Sequence, residues 1–149
     1  MRRGFTLVEL MTVVAIVSVL SALTMTEYRY FHYKVKRQEA YLILDAVVST
    51  QYAYNASHDQ FVTAAPNPGG TLLSQSRSWD HSMAGWTELG YSPDGAVRCS
   101  YETLPQDGGA WFRAEATCDV DQNTQLAIIR FDSDTAPTPG WSDLYPTRY

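Results

Sequence analysis

The chain has 149 residues, of which 45% are hydrophobic and 18% are charged, a length and composition typical of one ordinary domain. Eleven lysines and arginines against 16 aspartates and glutamates give a formal net charge of −5 at pH 7, so the basic footprint expected of a protein that coats nucleic acid is missing. These values exclude a long multidomain enzyme and argue against nucleic acid as a main partner.

The first predicted element is an apolar segment, residues 5–25, that is long enough to cross a membrane. Its one charged side chain is Glu9, and about 20 apolar residues in a helix span the roughly 30 Å hydrocarbon core of a bilayer. The basic start of the chain and the tripeptide Leu20-Ser21-Ala22 also fit an ordinary cleaved signal peptide. Glu9 favours the membrane-spanning interpretation, because a carboxylate in an apolar segment costs up to about 3 kcal/mol and a discarded signal has no need of it.

The residues around Gly4 resemble the start of type IV pilins and their pseudopilin relatives. Arg3-Gly4 is followed by Phe5-Thr-Leu-Val-Glu9-Leu-Met and then by a stretch rich in Val, Ile, Leu and Ala. In that family a membrane prepilin peptidase cuts after the glycine and methylates the new N-terminal phenylalanine, and a glutamate is the fifth mature residue. The resemblance therefore implies cleavage between Gly4 and Phe5, N-methylation of Phe5, and a role for Glu9 in setting the register between subunits of a filament.

The same resemblance implies a structural subunit with no catalysis and no cofactor. We expect a precursor in the bacterial inner membrane that is extracted into an extracellular or periplasm-spanning helical filament of like subunits. Assembly then requires a prepilin peptidase, an inner-membrane platform protein and an assembly ATPase. The task of the filament stays open between adhesion, twitching motility, DNA uptake and a secretion piston. The choice between a major pilin, a minor pilin and a type II secretion pseudopilin stays open too.

Cleavage after Gly4 would create an ammonium group on Phe5, within one helical turn of Glu9. The two charges can pair in the same helix or, as the resemblance implies, between neighbouring subunits, and either pairing lowers the desolvation penalty of a buried charge. Under the positive-inside rule, the basic residues around the segment favour a cytoplasmic location for the C-terminal part of the chain. The leader motif and the cysteines outweigh this rule and favour export of that part. The basic residues are Arg2 and Arg3 before the segment and Arg29, Lys34, Lys36 and Arg37 after it.

A single long helix is predicted over residues 5–57, because the sequence there contains neither proline nor glycine. Many pilins carry a glycine and then a proline in this helix, and the corresponding positions here are Ser18 and Thr26. The absence of that glycine and proline predicts a more continuous helix and favours a minor pilin or a pseudopilin. Beyond the membrane segment, apolar residues at helical spacing predict the packed stripe, which consists of Phe31, Val35, Leu42, Ala46 and Ala53.

Residues 58–149 are predicted to form a small head, which gives an α+β fold with the long helix packed against an antiparallel sheet. The segment 58–95 is rich in Pro, Gly, Ser and Asn, a composition that predicts a long loop. The segment 96–131 predicts the sheet, because it contains three alternating or β-branched stretches, and residues 132–149 predict an irregular tail. The three stretches are 97–104, 110–120 and 125–131.

Cys99 and Cys118 lie on the first two predicted strands. If Gly108-Gly109 forms a two-residue hairpin turn, counting back along both strands places the two cysteines opposite each other. A disulfide there would stabilise the fold by roughly 3 kcal/mol in the chain-entropy model, and two buried thiols are the alternative. The resemblance agrees with the bridge, because many pilins carry a disulfide in the head.

This register also creates two difficulties. It sets Glu102 against Glu115, and like charges directly opposite each other destabilise a sheet. It also places Pro105, which has no N–H to donate, within a ladder. A slipped or bulged hairpin is therefore the alternative.

An acidic stretch after the second strand partly matches a calcium-binding loop. Asp119, Asp121 and Asn123 occupy alternate positions, but Thr124 replaces the required glycine and Arg130 stands where the bidentate glutamate belongs. A plain acidic turn is therefore preferred to a metal site, and Asp119, Asp121 and Asn123 remain the calcium candidate.

Two interpretations come from other classes of protein. A secreted binding module released by signal peptidase after about Ala22 would lack Phe5 and Glu9 and form no filament. A membrane-anchored hydrolase would use His58-Asp59 or Asp80-His81, although no nucleophile stands in an elbow motif beside either pair.

Overall fold

The computed structural model describes residues 4–72, 74–134 and 140–148, and for Thr26 the backbone alone. Residues 1–3 of the predicted leader and residues 135–139 and 149 of the predicted tail lie outside the described part. The chain divides into two compact units with the boundary between Lys34 and Val35. The elements are helix α1 (Leu7–His58), strand β1 (Ala64–Asn67), helix α2 (Trp86–Leu89) and strands β2 (Ser100–Gln106), β3 (Trp111–Cys118), β4 (Ala127–Asp132) and β5 (Gly140–Asp143).

The first unit contains the apolar part of α1, in which every residue from Phe5 to Met25 is exposed. By length and composition, α1 is apolar enough to cross a membrane. Its backbone is helical through Ser18 and Thr26, as the absence of glycine and proline predicts. The hydroxyl groups of Thr12, Ser18 and Thr24 donate to backbone carbonyls four residues earlier, so these polar groups are satisfied within the helix, as apolar surroundings require.

In the head, α1 buries a different face from the predicted one. Val35 and Leu42 of the predicted stripe are 51% and 76% exposed. Both sides of this helix carry apolar residues, so periodicity alone does not identify the packed side. The buried face follows three- and four-residue spacing and includes two polar side chains; it consists of Arg37, Ala40, Ile43, Leu44, Val47, Val48 and Gln51.

The head contains a five-stranded antiparallel meander in the order β1-β2-β3-β4-β5. With the helix, this sheet confirms the predicted α+β fold, and β2, β3 and β4 correspond to the three predicted strands. Strands β1 and β5 and helix α2 lie in segments predicted as a loop and an irregular tail, and those predictions were wrong there. β1 and β5 are edge strands of four residues each, too short for an alternating pattern to stand out.

The core lies between the buried face of α1 and the sheet. Its largest fully buried side chains include Leu44 of α1, Tyr101 of β2, Phe112 of β3 and Ile129 of β4. The segment between β1 and β2 is fixed by Trp86 of α2, which is 1% exposed and donates its indole N–H to Ala65 O at 2.7 Å.

The β2–β3 hairpin has the predicted register, from Ser100 opposite Thr117 to Gln106 opposite Trp111. The predicted two-residue turn was wrong, since residues 107–110 form a four-residue connection with a short 3-10 turn. Asp107, Gly108 and Gly109 have positive φ values of 49°, 68° and 94°. The two glycines adopt them without a Cβ penalty, and aspartate is one of the few other residues that tolerate this region. This four-residue connection is centred between Gly108 and Gly109, as the predicted two-residue turn is, so the pairing of the strands is as predicted.

The structure reduces the first difficulty of this register and removes the second. Arg130 of β4 lies opposite Glu115 and donates Nε and Nη2 to its Oε2 at 3.0 and 2.8 Å. The pKa of Glu102 is nonetheless raised, first by burial and then by Glu115, with Arg130 opposing. Pro105 lies opposite Phe112. The backbone N–H of Phe112 donates to Ser133 Oγ, and its C=O accepts from the Ser133 N–H. Since Phe112 uses both backbone groups on the side away from β2, the ladder requires no N–H from the proline.

Gln51 joins the buried face of α1 to the strands. Its Nε2 donates to Val62 O at 2.6 Å and to Thr103 Oγ1 at 2.8 Å, and its Oε1 accepts from Val62 N–H at 3.1 Å. Gln51→Leu keeps the side-chain volume but leaves the buried Val62 N–H without an acceptor. It should lower the free energy of unfolding by about 2 kcal/mol. Urea titration of the full chain in detergent measures this, with the exposed Gln60→Leu as matched control. Equal stability of the two variants would contradict the prediction.

Candidate functional site

The first turn of α1 is closed by reciprocal hydrogen bonds between Thr6 and Glu9. The backbone N–H and the hydroxyl of Thr6 donate to Glu9 Oε2 at 2.8 and 2.9 Å, and Glu9 N–H donates to Thr6 Oγ1 at 3.3 Å. This is a capping box, which satisfies two backbone donors that the start of a helix otherwise leaves without partners. A carboxylate at this end is also favoured by the helix dipole.

Thr6 is a functional candidate that the sequence analysis missed. A threonine three residues before a glutamate, at the start of an apolar run, is the sequence signature of a capping box. The sequence resemblance predicts for Glu9 only a charge pair with the Phe5 amine. The structure shows that Glu9 also has an intrahelical role, and among the described residues its Oε1 accepts no hydrogen bond. One carboxylate oxygen is thus held by Thr6 while the other stays available for a second partner.

The predicted processing residues precede the helix. Gly4 and Phe5 lie outside regular secondary structure and are exposed, with Phe5 86% exposed. Both residues that flank the predicted cleavage bond are therefore exposed and outside the helix. Cleavage, N-methylation and the assembly role of Glu9 remain predictions.

The predicted disulfide is present. Cys99 and Cys118 are bonded, with a Cα–Cα distance of 4.4 Å, and both side chains are fully buried. Cys118 is the last residue of β3 and Cys99 immediately precedes β2. The bridge therefore fastens the open end of the hairpin, opposite the turn at residues 107–110.

The calcium candidate residues meet in the turn between β3 and β4, where they bond mainly to one another. Asp121 accepts from the backbone N–H and the side-chain amide of Asn123 at 3.3 and 2.7 Å. Burial raises the pKa of Asp121, the Asn123 N–H opposes this shift, and the nearby carboxylate of buried Asp119 adds to it. Asn123 presents an amide donor to Asp121, the reverse of what a cation requires, so the arrangement favours an acidic turn.

The two histidine pairs considered for hydrolysis lie on the surface of the head. His81 Nδ1 is 3.0 Å from Ser92 Oγ, but the Asp80 carboxylate accepts from the N–H and hydroxyl of Ser82. His58 Nδ1 lies 2.7 Å from Ser57 Oγ at the end of α1. Within the described ranges neither imidazole is hydrogen-bonded to a carboxylate, the third group of a nucleophilic triad.

The structure places the chain in a class of α+β proteins with one long helix, whose capped and apolar first part directly follows an exposed Gly–Phe bond. Residues 1–25 match the family model described as the prokaryotic N-terminal methylation motif. A curated relative is the type IV major pilin protein PilA of Myxococcus xanthus (strain DK1622), which is 37% identical over 144 residues. The motif and this relative together support a type IV pilin family for the chain.

The alignment with the Myxococcus protein covers 92% of this chain and 56% of the relative. This chain therefore spans little more than half the length of that pilin. No solved structure matches the chain. Pilins are structural proteins. The matched motif, residues 1–25, includes Gly4, Phe5 and Glu9, the residues on which the sequence resemblance depends.

Proposed function

We propose that the chain is the structural subunit of a type IV pilus or a related filament, assembled through its apolar N-terminal helix. The observation that carries the proposal is the apolar run from Phe5 to Met25, in which every residue is exposed and which starts at the Gly4–Phe5 bond of the matched motif. So long an apolar surface is stable only in lipid or against other copies of itself. The relative's description as a major pilin supports a pilus subunit.

The proposed mechanism begins with cleavage after Gly4, which removes Arg2 and Arg3 and frees the amine of Phe5. Methylation leaves this amine cationic. In the filament, the Glu9 oxygen that Thr6 does not occupy meets the Phe5 amine of a neighbouring subunit. The pair offsets part of the cost of burying both charges, and it sets the axial register because each subunit offers one cation and one anion at fixed heights.

The precursor would reside in the bacterial inner membrane, with the head on the far side. Its partners would be a prepilin peptidase, a platform protein, an assembly ATPase and like subunits. Adhesion, twitching motility, DNA uptake and secretion are all tasks that such a filament performs. A second candidate, a minor pilin or type II secretion pseudopilin, is favoured by the uninterrupted helical backbone at Ser18 and Thr26.

The intact mass and the N-terminal residue of the protein recovered from cells test the proposal. We expect a chain that begins at a singly methylated Phe5. A chain that begins near Leu23 would show a discarded signal peptide, and the filament function would fall with it.

A further inference from the structure

The head carries an open groove between α1 and β5. It has a volume of about 760 Å³, in the size range of small-molecule sites. Leu42 and Trp141 in it are 76% and 43% exposed, so apolar surface is accessible to a ligand. The helical residues of the groove follow at spacings of three and four and therefore form one continuous patch, next to the packed face of α1. The lining residues are Gln38, Tyr41, Leu42, Asp45 and Trp141.

Two aromatic rings form a rigid wall of this groove. The ring centroids of Tyr41 and Trp141 lie 6.0 Å apart, and the ring planes are tilted by 46°. Tyr41 donates its hydroxyl to Asp143 Oδ2 at 3.0 Å, and the buried guanidinium of Arg37 binds the same carboxylate. The other side of Trp141 packs edge-on against Phe131 at 5.3 Å. Because these contacts hold both rings before a ligand arrives, binding orders few side chains.

The groove carries one negative charge that the head does not balance. Asp45 is exposed and forms no ion pair within the described part of the chain. It lies one helical turn after Tyr41, so its carboxylate stands beside the aromatic wall. Arg37 does not offset this charge, because its guanidinium is paired with Asp143. An aromatic face and an anion side by side both attract a cation.

We propose that this groove is a binding site for a small, soluble quaternary ammonium compound. Its cationic nitrogen lies within about 6 Å of both ring centroids, the range of the cation–π attraction, and next to the Asp45 carboxylate. The alkyl groups on the nitrogen cover Leu42 and Trp141, whose apolar surface is thereby removed from water. The site lies within the head and goes beyond the filament function.

The composition of the groove favours a quaternary ammonium group over a primary one. A primary ammonium group brings three N–H donors, each of which needs an acceptor. Only Asp45 and Gln38 offer side-chain acceptors here, because the Tyr41 hydroxyl is bound to Asp143. A quaternary ammonium group has no donor to satisfy, so it leaves water for a wall of carbon atoms without losing a hydrogen bond.

Fluorine NMR of the full chain, labelled with fluorotryptophan and held in maltoside micelles, tests the proposal with choline as the probe. The chain has four tryptophans, and Trp141→Phe identifies the resonance of Trp141. We expect choline to shift this resonance saturably and to leave those of buried Trp79 and Trp86 in place. Dimethylbutanol, the uncharged carbon isostere of choline, should bind about tenfold more weakly. No saturable shift with choline, or equal affinity for both compounds, would overturn the proposal.

Two substitutions test the charge and the rings separately. Asp45→Asn keeps the shape of the groove, removes its negative charge and should weaken choline binding about fivefold. Tyr41→Leu removes one ring and should weaken it about 3- to 30-fold, whereas Tyr41→Phe keeps the ring and should retain most of the affinity. Glu88→Gln, the same charge change on the exposed side of α2, should bind as the wild type does. Wild-type affinity in both Asp45→Asn and Tyr41→Leu would contradict the site.

Two further measurements identify other occupants of the groove. If the Trp141 resonance shifts with protein concentration and not with choline, a second copy of the chain covers the groove, and the proposal falls. Micelles of a phosphocholine detergent present the same cation at a lipid-like surface. A shift in those micelles without a response to free choline would assign the groove to a membrane headgroup and overturn the soluble ligand. All of these measurements use unassembled chains, so their outcome is independent of the filament function.

Discussion

Glu9→Ala should leave cleavage after Gly4 largely intact and abolish incorporation into filaments. The Gly4–Phe5 bond lies outside the helix, so the peptidase substrate is unchanged by a substitution in the first turn. The Phe5 amine of a neighbouring subunit, however, would enter the apolar bundle without its anion. An unpaired buried charge costs about 3–5 kcal/mol. Immunoblots of membrane and sheared-filament fractions measure both steps, and wild-type amounts of sheared mutant would defeat the register role.

Glu9→Gln distinguishes the charge from the capping box. The glutamine carbonyl can still accept from the N–H and hydroxyl of Thr6, which replaces the hydrogen bonds that Glu9 Oε2 accepts. The helix start is then retained and only the negative charge is lost. We expect Glu9→Gln to be excluded from filaments as Glu9→Ala is. If Glu9→Gln assembles normally, the cap rather than the ion pair is what assembly requires.

The sequence predicts best where a local pattern determines the structure. The register of the β2–β3 hairpin followed from Gly108-Gly109 as the centre of the turn, because strand pairing counts outward from a turn. The turn itself needed four residues, but an error that is symmetric about the centre leaves the register intact. The resemblance likewise rested on a contiguous motif at Gly4, Phe5 and Glu9, which requires no tertiary information.

The buried side of α1 depends on partners that are distant in sequence. Arg37 can be buried because its guanidinium donates to the carboxylate of Asp143, 106 residues later in the chain. Gln51 can be buried because its amide donates to the hydroxyl of Thr103. A hydrophobic pattern scores both as polar and therefore places the core on the side of Leu42. Leu42 on that side is 76% exposed. The error therefore has a physical cause: both sides of this helix carry apolar residues, and only one side packs on the sheet.

Removal of the disulfide should destabilise the head. Cys99→Ser releases a loop with 19 residues of sequence separation, which costs roughly 3 kcal/mol in the chain-entropy model. The serine and the remaining thiol also replace a bridge between two fully buried side chains, so the open end of the hairpin loses its fastening. Limited proteolysis of the full chain in detergent should cut the variant within the head under conditions that leave the wild type whole.

The double variant Cys99→Ser with Cys118→Ser is the matched control, because it removes the free thiol that could form bonds between molecules. It should be as protease-sensitive as Cys99→Ser alone if the bridge itself holds the hairpin. Thiol labelling of the unfolded wild type without reductant should detect no free cysteine. Free thiols in the wild type, together with an unchanged digestion pattern in both variants, would remove the disulfide from the account of stability. The strand pairing and the Arg130–Glu115 contact would then have to hold the hairpin by themselves.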